Sequence, residues 1–182
     1  MCGLAQISNI SDGEINLFSN EEIEHFITGI FSDNITVESI PPTMYGKTAR
    51  YLMSGVEDGF GEGSFSEIKI ESDLNMLREL RENVYHFSAA KNYQQIRETS
   101  ALLAGTEGKR NYKTFREGAK KIFNEYNENY LKAEYNSAIS QARSASQWLD
   151  IEENEKYLPM ITYHTAGDGR VRPTHAALNN IT

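Results

Sequence analysis

The densest group of chemically capable side chains in this sequence falls within twelve positions. Its members are two histidines, one aspartate and two arginines, namely His164, Asp168, Arg170, Arg172 and His175. Histidine titrates near neutral pH and a carboxylate can fix its tautomer, so a His–Asp set could perform acid–base chemistry. Two arginines could instead bind phosphate or carboxylate through paired hydrogen bonds.

Two further interpretations of this group are open. A His–Asp–His set could ligate a metal, but the thiols or the His-x-x-x-His spacing typical of such sites are missing. A structural role requires only that Asp168 and an arginine hold a turn while His175 caps or packs. Composition and spacing favour the structural role over anion binding, and anion binding over catalysis. We therefore predict a charge-assisted link between Asp168 and either Arg170 or Arg172, with no metal and no cofactor.

The segments that carry these residues predict a strand, a tight turn, a second strand and a helix start. Residues 160–165 are β-prone, and residues 166–169 are typical of a turn. The chain then returns as an extended segment, because Pro173 keeps Arg172 out of the α region. Pro173 suits the first position of a short helix. We expect a β-hairpin-like motif whose strand edge at 160–165 invites pairing between copies of the chain.

Hydrophobic periodicity predicts helices in the first part of the sequence. Ser19 and Glu22 form a capping box before an amphipathic helix that extends through Phe31. A second helix over residues 45–56 ends at three glycines, Gly59, Gly61 and Gly63. Their spacing does not fit a nucleotide-binding loop, because the segment follows a helix where such a loop follows a strand.

Two longer helical patterns follow. The first begins at Ser72 and extends to about Leu103, with a possible restart at Asn92. The second covers residues 115–149, with room for one break, and its small residues would let another backbone approach closely. Trp148, near its end, is expected to anchor the core. The small residues are Ala138, Ala142 and Ala145.

Together these elements predict an α+β fold, predominantly helical, in which long helices precede the small β-hairpin-like motif. A length of 182 residues accommodates one domain with a real core, or a small domain with a helical appendage. The formal net charge is −8. Residues 1–68 hold only Lys47 and Arg50 against eleven acidic residues, so the acidity of the chain is N-terminal.

Cysteine usage and hydropathy indicate the compartment. The single cysteine, Cys2, cannot form an internal disulfide, which fits a reducing cytoplasm. The first residues lack the basic and apolar regions of a signal peptide. No apolar run is long enough to span a membrane, so we predict no membrane partner.

A run of six basic residues with one glutamate is the second candidate site. It could contact the phosphates of DNA or RNA. We favour a solvated helix start, because charge runs are usually exposed faces. Docking onto an acidic protein surface, such as the N-terminal region of the same chain, lies between the two. The basic residues are Lys109, Arg110, Lys113, Arg116, Lys120 and Lys121.

Two segments of the sequence resemble the phage Mu F-like family of minor head proteins, also called head morphogenesis proteins. One is residues 130–138 (YLKAEYNSA), followed by Gln141-Ala142-Arg143, and the other is residues 163–178 (YHTAGDGRVRPTHAAL). The second matches the family pattern T-x-x-D-x-R-V-R-P-x-H-A-x-L. The resemblance covers residues 115–182, so we expect a mainly helical N-terminal region over 1–110 and a Mu F-like domain over 111–182.

The resemblance implies a structural role in head morphogenesis and no enzymatic activity. Relatives associate with the portal inside the prohead, so it implies portal and other capsid proteins as partners, with packaged DNA reached through the basic run. The expected location is the virion head, after assembly in the host cytoplasm. The positions carried over from the family motif are Glu134, Tyr135, Asn136, Asp168, Arg170, Arg172 and His175.

The sequence departs from the family in two ways. In some relatives the positions of Arg172 and His175 are cysteines of a zinc site, and arginine cannot ligate zinc, so no metal is carried over. The closing segment of the family pattern is also altered after Leu178, so we expect a domain that is cut short. Two functional alternatives stay open: an enzyme acting on a phosphate-bearing substrate through His175, Asp168 and Arg172, and a nucleic-acid-binding module using residues 109–121.

Overall fold

The computed structural model of the protein describes residues 17–61, 71–104 and 111–181. Lys109, Arg110, Gly63 and Cys2 lie outside the described residues. The described elements are α1 (Asn20–Phe31), α2 (Pro42–Phe60), α3 (Glu71–Ala101), α4 (Tyr112–Glu125), a π-helical segment (Tyr126–Tyr130), α5 (Leu131–Asn154) and α6 (Pro173–Ala176).

The chain divides into two compact units, Met1–Arg143 and Ser144–Thr182, and the division falls within α5. The described helices α1 to α4 and the first half of α5 belong to the first unit. The end of α5 and the short α6 belong to the second. The predicted boundary at 110/111 came from the extent of the family motif, and it stays a prediction.

Local sequence signals explain where the first two helices begin. The Ser19 hydroxyl accepts a hydrogen bond from the Glu22 backbone N–H, and the Glu22 carboxylate accepts one from the Ser19 N–H, so the predicted capping box is confirmed. Helix α2 begins with Pro42, whose fixed φ suits the first helical position. At its end the chain turns at Gly61, where φ is 121°.

The core of the first unit lies where α1, α3 and α4 meet. Aromatic rings from α1 and α4 pack there, with Phe26 stacked on Phe123 at a centroid distance of 6.2 Å. Ile96 contributes from the C-terminal part of α3 and Met44 from α2. Burial of apolar residues at helical spacing on each element is what aligns these helices. The remaining buried members of this cluster are Phe18, Ile27, Ile30, Ile35, Phe115 and Ala119.

The two long helical patterns take different forms in the structure. Helix α3 continues through Asn92, so the restart expected there is wrong. The pattern over 115–149 does contain one interruption, the π-helical segment between α4 and α5. Such segments add a residue to one turn and often occur at functional sites.

Helices α2 and α5 approach each other closely at two glycines. A Cβ atom added to Gly59 would lie 2.8 Å from the Ala142 Cβ and would also meet the backbone of Ile139. One added to Gly55 would lie 3.0 Å from the ring of Tyr135. Small residues on both helices therefore permit this contact, as the alanines of α5 predicted.

The expected C-terminal β-hairpin is wrong, and with it the α+β class, because the described residues contain no strand. A single antiparallel bridge joins Tyr163 to Ile181. Residues 170–172 cannot pair with 160–165, since the Val171 N–H bonds to the Asp168 carbonyl and the Arg172 carbonyl accepts from the first turn of α6. The turn at Asp168 and the position of Pro173 thus lead residues 170–172 into α6, where a second strand was expected.

Trp148 does not anchor the core, since 49% of its surface is exposed. Its indole N–H donates a hydrogen bond of 2.6 Å to the carboxylate of Glu152, one turn further along α5. The neighbouring Leu149 is buried instead. The expectation failed because adjacent helical positions point in directions about 100° apart, and the apolar stripe passes through Leu149.

Candidate functional site

The helical segment that resembles the family motif begins with an ion pair between a partly buried glutamate and a buried lysine. The Glu134 carboxylate on α5 lies 2.6 Å from Nζ of Lys91 on α3. The same Nζ donates a 2.8 Å hydrogen bond to the backbone carbonyl of Tyr126 in the π-helical segment. Burial lowers the pKa of Lys91, and the Glu134 carboxylate acts against that shift. Lys91 thus joins α3 to the π-helical segment and, through Glu134, to α5.

Tyr135, the next motif residue, packs against α2. Its ring lies 4.8 Å from that of Tyr51, between centroids, and it covers Gly55. The hydroxyl donates a short hydrogen bond to the carboxylate of Asp58. Burial and, secondarily, this hydrogen bond raise the pKa of Tyr135 to about 12. Adjacent motif residues therefore bind different helices, because their side chains leave α5 in different directions.

Asn136 completes the helical part of the motif and differs from its two neighbours. Its side chain is exposed, while its backbone carbonyl accepts a 2.9 Å hydrogen bond from Ser140 within the same helix. The side chains of Glu134 and Tyr135 contact α3 and α2, whereas the side chain of Asn136 lies on the surface. Of the three, it is the one available for contact with another molecule.

The C-terminal part of the motif lies in the second unit and is organised around the predicted acid–arginine link. Arg170 donates to the Asp168 carboxylate from Nε at 3.1 Å and from Nη2 at 2.9 Å. The Arg170 backbone N–H donates to the other carboxylate oxygen at 3.0 Å. Asp168 therefore fixes both the backbone and the side chain of the turn.

Further hydrogen bonds close this motif on itself. The side-chain oxygen of Asn179 accepts from the N–H and the hydroxyl of Thr165, at 2.9 and 3.2 Å. The Tyr163 backbone exchanges two hydrogen bonds with Asn180 and Ile181. His175 Nδ1 lies 3.5 Å from the Tyr163 hydroxyl, at the outer limit of a hydrogen bond.

The exposure of these side chains decides what chemistry they can support. Asp168, Arg170, Arg172 and His175 are all exposed, and the Arg170 side chain retains 91% of its surface. The described hydrogen bonds of the Asp168 side chain are with Arg170, whereas His175 faces Tyr163. General acid–base catalysis gains from a desolvated, preorganised site, and the described residues of this motif form a solvated surface instead.

The basic run meets the acidic N-terminal region that the charge distribution indicated. Arg116 and Lys120 on α4 both bind the carboxylate of Glu24 on α1, with the lysine at 2.5 Å. These hydrogen bonds lower the pKa of Glu24 to about 2, and the one from Arg116 contributes more than the one from Lys120. Lys113 and Lys121 are exposed. Part of the run therefore docks α4 on α1.

Sequence reasoning missed a row of buried polar side chains on α3. Ser88, Asn92, Gln95 and Thr99 are fully buried at positions i, i+4, i+7 and i+11. Asn92 donates a 3.2 Å hydrogen bond to Thr48 of α2. The signal in the sequence is the helical spacing of these polar residues, which places them on one stripe of α3.

The described residues also bear on metal binding and on membrane insertion. Within the described ranges, no group of three or more His, Cys, Asp or Glu side chains is placed to hold a metal ion. Among the described helices, none combines the length and the apolar character needed to cross a bilayer.

Comparisons of the chain with protein-family models, with curated proteins and with solved structures found no match.

Proposed function

We propose that this protein is a structural minor head protein of a phage or prophage, acting in head morphogenesis through contacts with the portal and other capsid proteins. In this proposal it assembles in the host bacterial cytoplasm and ends in the virion head. It needs no cofactor, and no residue is assigned a catalytic role.

The observation that carries the proposal is the spacing of the C-terminal motif. Residues 165–178 reproduce T-x-x-D-x-R-V-R-P-x-H-A-x-L, the pattern by which the sequence resembles the phage Mu F-like family. The contacts of these residues give that spacing a physical meaning. Asp168 must precede Arg170 by two residues to hold both its N–H and its guanidinium, and Pro173 must follow Arg172 to start α6.

Surface exposure supports a role in protein contacts. Arginine is favoured at protein interfaces because its planar guanidinium forms several hydrogen bonds at once. Arg172 and His175 lie exposed on a turn and a short helix that local hydrogen bonds hold in place. A preformed surface of this kind limits the ordering that binding would require.

The two alternatives have less support. A phosphate-substrate enzyme would have to use His175, Asp168 and Arg172 together, yet Asp168 is engaged by Arg170 and the group is solvated. A nucleic-acid module would use the basic run, yet Arg116 and Lys120 are bound to Glu24. Both kinds of contact would have to compete with an interaction already present.

Quantitative mass spectrometry of proheads and virions tests the proposal. In the phage or prophage that encodes the protein, we expect it in purified particles at few copies relative to the major capsid protein. A nonsense mutation in its gene should reduce the yield of DNA-filled heads, and a copy supplied in trans should restore it. Particles that lack the protein, together with normal head yield in the mutant, would overturn the proposal.

A second experiment addresses the partner. Purified protein should bind purified portal assemblies of the same phage, and Arg172→Glu should weaken this binding. Glu79→Lys, an exposed charge reversal on α3 outside the motif, is the matched control and should bind as wild type does. Equal binding by all three proteins would exclude the C-terminal motif as the portal contact.

A further inference from the structure

The second unit exposes an unusual amount of apolar surface. Among its described residues Leu149 is the one hydrophobic side chain that is buried. Tyr157 and Met160 each expose about three quarters of their surface, at 75% and 76%. Exposed apolar residues scattered singly are ordinary, but a concentration of them marks an interaction surface. The large exposed side chains are Trp148, Tyr157, Leu158, Met160, Ile161, Tyr163, Leu178 and Ile181.

Most of these side chains lie close together in the sequence, and the bridge adds one from the end of the chain. Five of the eight fall within residues 157–163. Tyr163 and Ile181 oppose each other directly in the antiparallel bridge, which places their side chains on the same face. We call this surface, residues 157–163 with Ile181, the apolar face.

Charges of opposite sign flank the apolar face along the chain. Residues 157–163 contain no charged side chain. Before the segment, Asp150, Glu152, Glu153 and Glu155 outweigh Lys156, for a net charge of 1 − 4 = −3. The turn after it carries Arg170 and Arg172 against Asp168, for a net charge of 2 − 1 = +1, and Asp168 is paired with Arg170. Along the chain, the apolar face therefore has an acidic flank on one side and a weakly basic flank, centred on Arg172, on the other.

This distribution selects the partner that fits it. A partner of uniformly negative or positive charge would match one flank and repel the other. In a two-fold symmetric contact, each residue i of one copy meets residue j of the other, and j meets i. Two copies can then place the acidic flank of each against the basic flank of the other, with the apolar faces between them.

We propose that the apolar face is a self-association surface, and that its occupant is a second copy of this chain in an antiparallel two-fold contact. The apolar centre supplies the affinity by removing exposed side chains from water, and the flanks fix the orientation. The contact is independent of the proposed function, because it would form in the purified protein without any capsid component.

Sedimentation velocity on the full chain over a concentration series tests whether the contact exists. We expect a concentration-dependent monomer–dimer equilibrium that Met160→Ser weakens. A monomer at every concentration would overturn the proposal and would mean that the apolar face is covered within one chain. Circular dichroism of each variant establishes that the helices are retained.

A charge-reversal pair tests the identity of the occupant. Glu153→Lys/Glu155→Lys makes the acidic flank basic, and Arg172→Glu makes the basic flank acidic. In a homodimer of either variant, two flanks of the same charge face each other at both ends of the contact. Its dimerisation should therefore weaken at least about tenfold. Mixed in equal amounts, the two variants again present opposite charges at both flanks and should form a heterodimer.

The design leaves intact two residues with internal roles. Arg170 holds the turn with Asp168, and Glu152 accepts a hydrogen bond from Trp148. The control is Glu79→Lys, an exposed reversal on α3, which should dimerise as wild type does. If the mixture fails to restore dimers, or if either reversal alone leaves dimerisation unchanged, the antiparallel contact is wrong.

Discussion

The Lys91 ammonium group lies 2.6 Å from the Glu134 carboxylate, and the two side chains expose only 2% and 18% of their surface. The two residues come from helices separated in sequence by α4 and the π-helical segment. The Tyr126 carbonyl in that segment accepts a second hydrogen bond from the same ammonium group. A single buried charge therefore ties α3 to the π-helical segment and to α5, the helix that follows it.

Removing one member of this pair is expected to be far more damaging than removing both. Glu134→Gln leaves the Lys91 charge buried without a counterion, which should lower the free energy of unfolding by about 3 kcal/mol. Lys91→Met/Glu134→Leu removes both charges and should recover most of that loss. Urea unfolding of the two variants and the wild type measures the difference.

Glu128→Gln is the control for this comparison, since it removes an exposed carboxylate from the π-helical segment itself. Its effect should stay within about 0.5 kcal/mol. If Glu134→Gln unfolds at the same urea concentration as this control, the ion pair is not stabilising the junction.

Gly59→Ala should destabilise the contact between α2 and α5. The new methyl group would meet the Ile139 backbone and would lie 2.8 Å from the Ala142 Cβ, and neither atom can rotate away. Overpacking of this kind typically lowers the free energy of unfolding by about 1–3 kcal/mol. Thermal unfolding followed by circular dichroism would show the loss as a lower Tm.

Gly46→Ala is the matched control, because Gly46 lies in the same helix and its added Cβ would come no closer than 3.8 Å to Arg50. Alanine is the better helix former by about 1 kcal/mol, so this variant should be as stable as wild type or more stable. A Gly59→Ala protein that gained stability in the same way would show that the helices can separate without loss.

How much of the fold could be predicted depends on how local each signal is. The capping box of Ser19 and Glu22 involves residues three apart, and it was read correctly from the sequence. The fate of residues 160–165 depended on a partner far along the chain. The sequence predicted an extended conformation at Tyr163. Its pairing with Ile181 was not predictable, because it depends on the path that the Asp168 turn and Pro173 give to the chain between them.

The candidate site shows the same limit. Asp168 and Arg170 lie two residues apart, and their contact was predicted from the sequence. The pairing of Glu134 with Lys91 was not, because nothing local to either residue identifies its partner on another helix. Lysine side chains are also rarely buried, so the sequence alone gives no reason to expect a buried ion pair at Lys91.

The ion pairs of Glu24 make stability depend on pH in a defined range. Hydrogen bonds from Arg116, the larger contribution, and from Lys120 lower the pKa of this carboxyl from 4.5 to about 2 in the folded protein. The unfolded chain therefore takes up the proton first as the pH falls. The stabilisation is fully present above about pH 4.5 and is lost as the pH falls toward 2.

Glu24→Gln should remove this dependence. Urea unfolding at a series of pH values should show wild type more stable than the variant near neutrality, with the difference shrinking toward pH 2. The groups are part exposed, so added salt should reduce the difference as well. Glu21→Gln, which changes an exposed carboxylate of the same helix, is the control. If its stability relative to wild type changed with pH as that of Glu24→Gln does, the pH dependence could not be assigned to Glu24.

Asp168→Ala should loosen the C-terminal motif without unfolding the first unit. The change removes three hydrogen bonds to Arg170, but the pair is exposed, so overall stability should fall by at most about 1 kcal/mol. The effect should be local: hydrogen exchange should accelerate in residues 163–181 and stay unchanged in α1 to α4. Glu79→Ala, an exposed change on α3, provides the baseline. Unaltered exchange across 163–181 would show that the Thr165–Asn179 contacts and the bridge between Tyr163 and Ile181 hold the motif without the acid–arginine link.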